Sequence, residues 1–296
     1  MRTILITGAT DGLGRELARR LAAAGDRVIV HGRDPERVRR ARADAEGTDP
    51  EQTRADPKRT RAGAERADPE RARADSGGTT EGVLADLADL RQVDRLADEV
   101  LDRFDRLDVL VNNAGVGGGP PGSGRAESQD GVELRFAVNY LAGYHLTRRL
   151  LPLLVRSAPS KVVNVASIGQ QAIDFADPML TRGYERRRAY NQSKLAQIMF
   201  TFDLAEELAG RGVTVNALHP ATYMDTTMVR EAGAPVMSTV DEGVAATRQL
   251  IDGLDGVSGR YFDGLRESRA DAQAYDLAAR KRLRELSDDL VRRALG

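Results

Sequence analysis

Tyr190 and Lys194 stand four residues apart in the segment Tyr190-Asn191-Gln192-Ser193-Lys194, which puts both side chains on one face of a helix. A free phenol titrates near ~10 and is a poor acid–base catalyst at neutral pH. A neighbouring ammonium favours the phenolate and draws that value toward the working range, so the pair could donate and recover a proton. The same spacing occurs on any amphipathic helix, and the pair gains meaning only from its surroundings. Tyr184, with Arg188 four residues on, is a decoy. A guanidinium does not exchange protons at neutral pH, and Tyr184 falls in a Gly/Arg-rich loop.

A second chemistry-bearing segment lies near the start, Thr7-Gly8-Ala9-Thr10-Asp11-Gly12-Leu13-Gly14. Glycines let a chain turn tightly and let backbone approach a pyrophosphate at a helix N-terminus, where N–H groups and the dipole favour an anion. The three histidines, His31, His145 and His219, fall on separate elements with no metal-ligand spacing, so no catalytic metal is expected. Ser167 lacks a Gly-x-Ser-x-Gly elbow, which disfavours a hydrolase.

The elements that must position these groups alternate along the chain. Thr3 to Thr7 is a short β-branched, apolar strand, and Leu13, Leu17 and Leu21 recur on a helix that Gly25 can end. Arg27 to His31 reads as the second strand. Further strands are expected at Gly82 to Ala85, Leu107 to Val111, Lys161 to Ala166 and Val213 to Leu218. Helices are expected over 89–103, 127–155, 189–209, 241–252 and 270–294. Strands separated by helix-length segments require parallel βαβ units. The fold class is therefore α/β: one doubly wound, Rossmann-type parallel sheet of about seven strands, order 3-2-1-4-5-6-7, with helices on both faces.

The 296 residues suit one α/β domain with additions or two small domains, and the alternation together with the glycine turn favours a single dinucleotide-binding and catalytic domain over 1–296. Forty-four basic against 45 acidic side chains give no global argument for nucleic acid or anionic membrane as partner. The absence of cysteine excludes disulfides, thiolate metal sites and a cysteine nucleophile, and is compatible with a cytoplasmic protein. No run of about 18 apolar residues occurs, so no membrane span is expected. With a strand-like segment from Arg2, no signal peptide is expected. One stretch breaks the alternation. Between Asp34 and Asp75, 22 of 42 residues are charged, 11 of each sign, and Arg-Ala-Asp recurs at 42, 54 and 66. Residues 46–79 cannot bury enough apolar surface to offset their ordering and are expected to be a solvated, disordered insertion. Balanced charge and absent aromatics argue against a nucleic-acid tether there.

The spacing of the glycine turn, Gly-x-x-x-Gly-x-Gly, resembles the short-chain dehydrogenase/reductase family in its classical form. Asn112-Asn113-Ala114-Gly115 after the fourth strand, Asn139, Ser167 and Tyr190-Asn191-Gln192-Ser193-Lys194 follow in the family's order. The resemblance covers the chain outside 46–79. It implies that Asn139, Ser167, Tyr190 and Lys194 are catalytic. Ser167 would bond the substrate oxygen, Lys194 would also hold the nicotinamide ribose, and Asn139 would position a water relaying protons to Lys194. It implies cofactor contacts at Thr7, Gly8, Thr10, Asp11, Gly12, Leu13 and Gly14, then Asp86, Leu87, Asn113, Ala114 and Gly115. Tyr190, Lys194, Pro220 and Thr222 complete that set. Asp86 would meet the adenine, its alternative role being to cap the following helix. The 23-residue step from Ser167 to Tyr190, Gly259-Arg260-Tyr261-Phe262 and the charged last helix resemble the retinol-dehydrogenase-like subgroup.

An acidic residue ending the second strand would hold a ribose 2′-OH. Here the strand ends His31-Gly32-Arg33-Asp34, so Arg33 can meet a 2′-phosphate, and NADP(H) is expected over NAD(H). Two features pull the other way. Asp11 replaces the basic residue of many NADP-preferring members, and Asp34 could pair with Arg33. Segments 170–186 and 222–238 are expected to frame the pocket, offering Phe175, Met179, Leu180 and Tyr184, then Tyr223, Met224, Met228 and Met237. As a set they favour a bulky apolar small molecule as substrate, a ketone or aldehyde interconverted with an alcohol. Ala221 stands where the family shows glycine after proline. The alternatives are a silent NADP(H)-binding sensor on the same fold, or action on a carrier-bound substrate. The resemblance further implies a homodimer or homotetramer through helices near 89–103, 127–155 and 189–209.

Overall fold

The computed structural model describes residues 1–47, 78–120 and 122–296. Residues 48–77, nearly all of the segment expected to be an insertion, lie outside the described residues. Strands β1 (Thr3–Ile6), β2 (Arg27–Gly32), β3 (Thr80–Leu84), β4 (Val109–Asn112), β5 (Ser160–Val165), β6 (Val213–His219), β7 (Arg260–Asp263) and β8 (Arg266–Ser268) form one sheet. Their order is β3-β2-β1-β4-β5-β6-β7-β8. The first seven pair in parallel, in the expected order, and β8 is an added antiparallel edge strand that pairs Asp263 with Arg266. Its signal was present in Asp263-Gly264, a hairpin dipeptide, and Gly264 takes φ +58.

The strands are apolar throughout because both faces are covered. Successive residues alternate between two cores. Ile4, Ile6, Val28, Val30, Val109, Val111, Val163 and Val165 pack with helices α1 (Gly12–Ala23), α2 (Pro35–Ala45) and α7 (Val240–Asp252). Leu5, Ile29, Leu110, Val162, Val215 and Ala217 face α3 (Leu90–Arg103), α4 (Ala142–Arg156), α5 (Arg186–Glu207) and α8 (Leu277–Leu295). A short α6 (Thr227–Glu231) lies within the second framing segment.

The helix expected over 127–155 is shorter. Its first residues instead make a turn closed by a bridge between Glu127 and Glu133, with Gly131 at φ +73. The Glu133 carboxylate accepts the amides of Arg135 (2.8 Å) and Phe136 (2.9 Å), capping a helix that opens with a π-helical turn, Phe136–Leu141. The last helical region likewise begins with a 3₁₀ turn, Ala272–Tyr275. Helix α8 lies along α5 and reaches α3. Tyr140 bonds Ser287 (2.6 Å), and Arg280 donates twice to Glu206 (2.7 and 2.8 Å). The surface through which the resemblance implies self-association thus carries the chain's own terminal helix. Among the described residues no helix is long and apolar enough to cross a membrane.

Candidate active site

The glycine turn joins β1 to α1 and is braced from beside it by the turn after β4. The Thr7 hydroxyl accepts the amides of Asn113 (2.9 Å) and Ala114 (3.0 Å), and the Asn113 amide group donates to Thr7 O (2.8 Å) and Gly8 O (3.1 Å). Thr7 and Asn113 therefore shape the turn with their side chains. Gly14 has to be glycine: a Cβ there would stand 2.4 Å from Gly8 O and 2.5 Å from Asn113 Nδ2. Leu13 is buried against α1's core side, and Thr10 packs over Gly32.

Asp11 caps α1 by accepting the Gly12 amide at 2.8 Å and pairs with Arg37 at 3.1 Å. Burial opposes its ionisation, but bonds from Thr227 and Gly12 and the charge of Arg37 outweigh that and hold the carboxyl below its usual range. An α-helix leaves its first amides without partners inside the helix, so the α1 N-terminus fits a pyrophosphate-bearing group.

Arg33 is exposed beyond the end of β2 and forms no ion pair among the described residues. Asp34 does not neutralise it. It caps α2 instead, accepting the Arg37 amide at 3.0 Å. Nor does Asp86 cap α3; that role falls to Asp89, while Asp86 accepts the Ala88 amide at 2.9 Å. Leu87 is buried beside it.

The chemistry-bearing groups converge at the C-terminal ends of β4, β5 and β6. Ser167 follows β5 with its hydroxyl beside the Tyr190 phenol, whose titration it lowers, and Gly169 N–H donates to Ser167 Oγ at 3.0 Å. Two residues the sequence reading did not assign to the site hold Ser167 from behind: Tyr261 and Gln170 donate to its carbonyl at 3.0 and 3.1 Å. Lys194 is buried, with Nζ 5.9 Å from the Tyr190 ring centre, and donates to Val165 O at 2.8 Å and Gln197 Oε1 at 3.3 Å.

Asn139 lies in the π-helical turn. Its side chain accepts the Val116 amide (2.7 Å) and donates to Val116 O (3.1 Å) and Ser193 Oγ (2.9 Å). Gly115 sits between Asn139 and Lys194, where a Cβ would be 3.3 Å from Asn139 Oδ1 and 3.6 Å from Lys194 Nζ. His219 ends β6 and bonds Thr222 Oγ1 at 3.0 Å, with Pro220 buried between them. Ala221 adopts no left-handed backbone; Tyr223 does, at φ +46.

The electrostatics differ from the simple phenol–ammonium picture. Burial pushes Lys194 down to about 7. Burial raises the Tyr190 phenol above its ordinary value, against a lowering bond from Ser167 and with Tyr223 adding to the rise. An amine that discharges near 7 is neutral at the pH where a phenol titrates, so it offers no fixed cation to draw the phenol down.

Around the site, Phe175 and Met179 pack on the core and Leu180 is buried at φ +49, so these three are mainly structural. The second segment packs against the glycine turn and the Gly117 loop. Cβ atoms at Gly12 and Gly117 would meet Thr226 Cγ2 at 2.8 Å and Met228 Cγ at 2.9 Å. Ile168, Tyr223, Met228, Val236 and Met237 remain exposed. Met224 instead packs on the core beneath α7.

Residues 2–57 and 57–236 match the short chain dehydrogenase family. The chain is 34% identical to retinol dehydrogenase 13 of Mus musculus over 311 residues, covering 98% of this chain and 84% of that protein. It is 36% identical to retinol dehydrogenase 14 of Homo sapiens, covering 98% and 86%. Among solved structures, a protein from Mycobacterium paratuberculosis superposes with TM-score 0.71 at 28% identity, over 99% of this chain and 94% of that one. Pseudomonas aeruginosa RhlG, solved as an active-site complex with NADP, gives TM-score 0.63 at 27% identity over 88% and 94%. Across nearly its whole length the chain belongs to the short-chain dehydrogenase/reductase family, within its retinol-dehydrogenase-like subgroup.

Proposed function

We propose that this protein interconverts a carbonyl and an alcohol on a bulky apolar small molecule, with NADP(H) as cofactor and Tyr190 as the acid–base residue. The observation that carries this is the meeting of the Ser167 hydroxyl, the Tyr190 phenol and the buried Lys194 amine at one place, with Nζ 5.9 Å from the Tyr190 ring centre. A bound nicotinamide supplies or accepts the hydride, and every proton falls to the chain. In the reductive direction the Ser167 hydroxyl bonds the substrate oxygen and Tyr190 gives it a proton. Lys194, part-charged near neutrality, restores that proton, and Asn139 is proposed to position a water that would relay protons to Lys194.

Arg33 supports NADP(H), because it is exposed and unpaired among the described residues while Asp34 is engaged elsewhere. Asp86 is proposed to meet the adenine. The apolar rim of Ile168, Tyr223, Met228, Val236 and Met237 supports an apolar substrate, in keeping with the names of the retinol dehydrogenases it resembles. The cysteine-free composition is compatible with a cytoplasmic enzyme.

The test is oxidation of NADPH, with NADH alongside, over apolar aldehydes, bulky ketones and quinones, with Tyr190→Phe as control. Turnover that the variant abolishes supports the reading. Absence of turnover in protein that still binds cofactor would replace it with a silent sensor or a carrier-bound substrate.

A further inference from the structure

The glycines that follow the Asn-Asn-Ala-Gly turn are held by a buried charged cluster with no part in the proton chemistry. Arg135 and Glu133 are 5% and 1% exposed, and Arg135 NH1 meets Glu133 Oε1 at 3.3 Å. Arg135 donates to Gly117 O at 3.2 Å and Gly118 O at 2.8 Å. The Tyr184 hydroxyl completes the cluster, accepting from Arg135 NH1 at 2.7 Å and donating to Glu133 Oε1 at 3.1 Å. From the same framing segment Arg186 donates to Gly119 O at 2.7 Å and to Pro120 O. From the opposite segment Met228 packs on Gly117.

We propose that Glu133, Arg135 and Tyr184 are positioning residues that latch segment 170–186 to the Gly117–Gly119 loop, so that both walls of the substrate site are set from one hub. The proposal rests on the carbonyl–alcohol reading for its effect on turnover, though not for the latch itself.

The physical reason is the cost of burying an ion pair. Packed apolar side chains would serve stability as well or better, whereas charged hydrogen bonds impose one geometry. Glu133 is satisfied on both oxygens, by helix-capping amides on one and by Arg135 and Tyr184 on the other. The Arg135 guanidinium can therefore fix two carbonyls of a glycine-rich loop that would otherwise have many conformations. Tyr184 is the joint at which the framing segment enters this arrangement, and its phenol is pushed up to about 12, by burial first and then by the Glu133 charge, so it stays a neutral donor.

Tyr184→Phe removes one hydroxyl and leaves the Arg135–Glu133 pair intact. Hydrogen exchange on the full-length protein without added ligand reads the latch directly. Peptides covering 116–120 and 176–186 should lose protection together, with the rest of the sheet unchanged. With decanal as probe and NADPH saturating, KM should rise about ten-fold while kcat and NADPH affinity hold. Arg135→Lys, which keeps charge but loses the fork, should loosen the same two peptides.

Unchanged exchange in either peptide overturns the proposal. So does joint loosening with KM unmoved, which would make the cluster a stability element only. If the native protein does not turn over decanal or any other carbonyl, the functional reading fails, and the exchange measurement still decides whether the two segments are latched.

Discussion

The amide of Gly8 donates to Nδ1 of His31 across 3.1 Å, so the first glycine of the glycine turn hangs on a histidine from the neighbouring strand. Because Nδ1 accepts, the ring proton is on Nε2, which donates to Ala85 O at 3.1 Å. One neutral tautomer thereby ties β1's turn to the strand end that precedes Asp86. Protonation would set an N–H against an N–H.

Burial pushes His31 down to about 4, against raising contributions from Ala85 and Asp86. A base whose folded value lies below its unfolded value near ~6.5 makes the unfolded chain the better proton binder in that window. Its contribution is therefore fully present above pH ~6.5 and lost as pH falls through about 4, on the order of 3 kcal/mol. Thermal unfolding of the native protein and His31→Gln, followed from about pH 7.5 to 4.5, should show a shallower pH slope for the variant. Parallel slopes would remove His31 as the cause.

Tyr190→Phe keeps the ring and its packing while deleting the proton. Turnover should fall about 10²- to 10⁴-fold with cofactor affinity retained. Near-normal turnover would transfer the acid–base role elsewhere.

Lys194 sets the expected pH profile. With a value of about 7, its proton is available below neutrality and gone above it, so the reductive kcat should decline as pH rises through about 7. Gln197 Oε1 accepts from the ammonium form, so Gln197→Leu disfavours that form and should move the inflection to lower pH. His219 ending β6 and Tyr190 are the titratable groups facing the amine, and His219→Asn separates its own titration from the lysine's. An inflection unmoved by Gln197→Leu would contradict this assignment.

Much of this was legible beforehand because the parallel strands are buried on both faces. Uninterrupted runs such as Thr3-Ile4-Leu5-Ile6 announce themselves without any need for periodicity. The glycine turn and the Tyr-x-x-x-Lys helix are likewise local in sequence. What failed was non-local. The Tyr184–Arg188 spacing says nothing of the partners Tyr184 has in the fold, Arg135 and Glu133, about fifty residues earlier. Tyr261 supports Ser167 across the edge of the sheet, and Gln197 reaches Lys194 inside a helix buried on most sides, where no amphipathic face marks a special position. The helix start at 134 was misjudged because an acidic side chain, not a serine or aspartate, caps it.

Gly14→Ala puts a methyl group into space already taken by Gly8 O and Asn113 Nδ2. Backbone and brace would both have to move, costing about 1–3 kcal/mol of stability. Because the displaced groups build the anion-binding turn, NADPH affinity should fall further than global stability does. Calorimetric unfolding and fluorescence titration on the same samples compare the two. Wild-type affinity in the alanine variant would mean that the turn does not bind the cofactor.

Arg33 is the residue on which the proposed preference for NADP(H) rests. It stands exposed past the end of β2, with Thr10 packed on Gly32 just before it and Asp34 turned away to cap α2. Arg37, the other cation nearby, is committed to Asp11 at 3.1 Å. Among the described residues Arg33 has no ion pair, so it could meet a 2′-phosphate, and a charge-assisted contact of that kind contributes about 1.5–3 kcal/mol. Arg33→Ala should raise KM for NADPH by about 10- to 100-fold and leave KM for NADH nearly unchanged. Arg33→Glu should go further by repelling the phosphate and offering the ribose hydroxyls an acceptor, so that NADH becomes the better cofactor. Raising the salt concentration should weaken NADPH binding to the native protein more than NADH binding, since an exposed ion pair is screened. Equal losses for both cofactors in Arg33→Ala would show that Arg33 contacts a group they share, and the preference would then have to be sought outside the second strand.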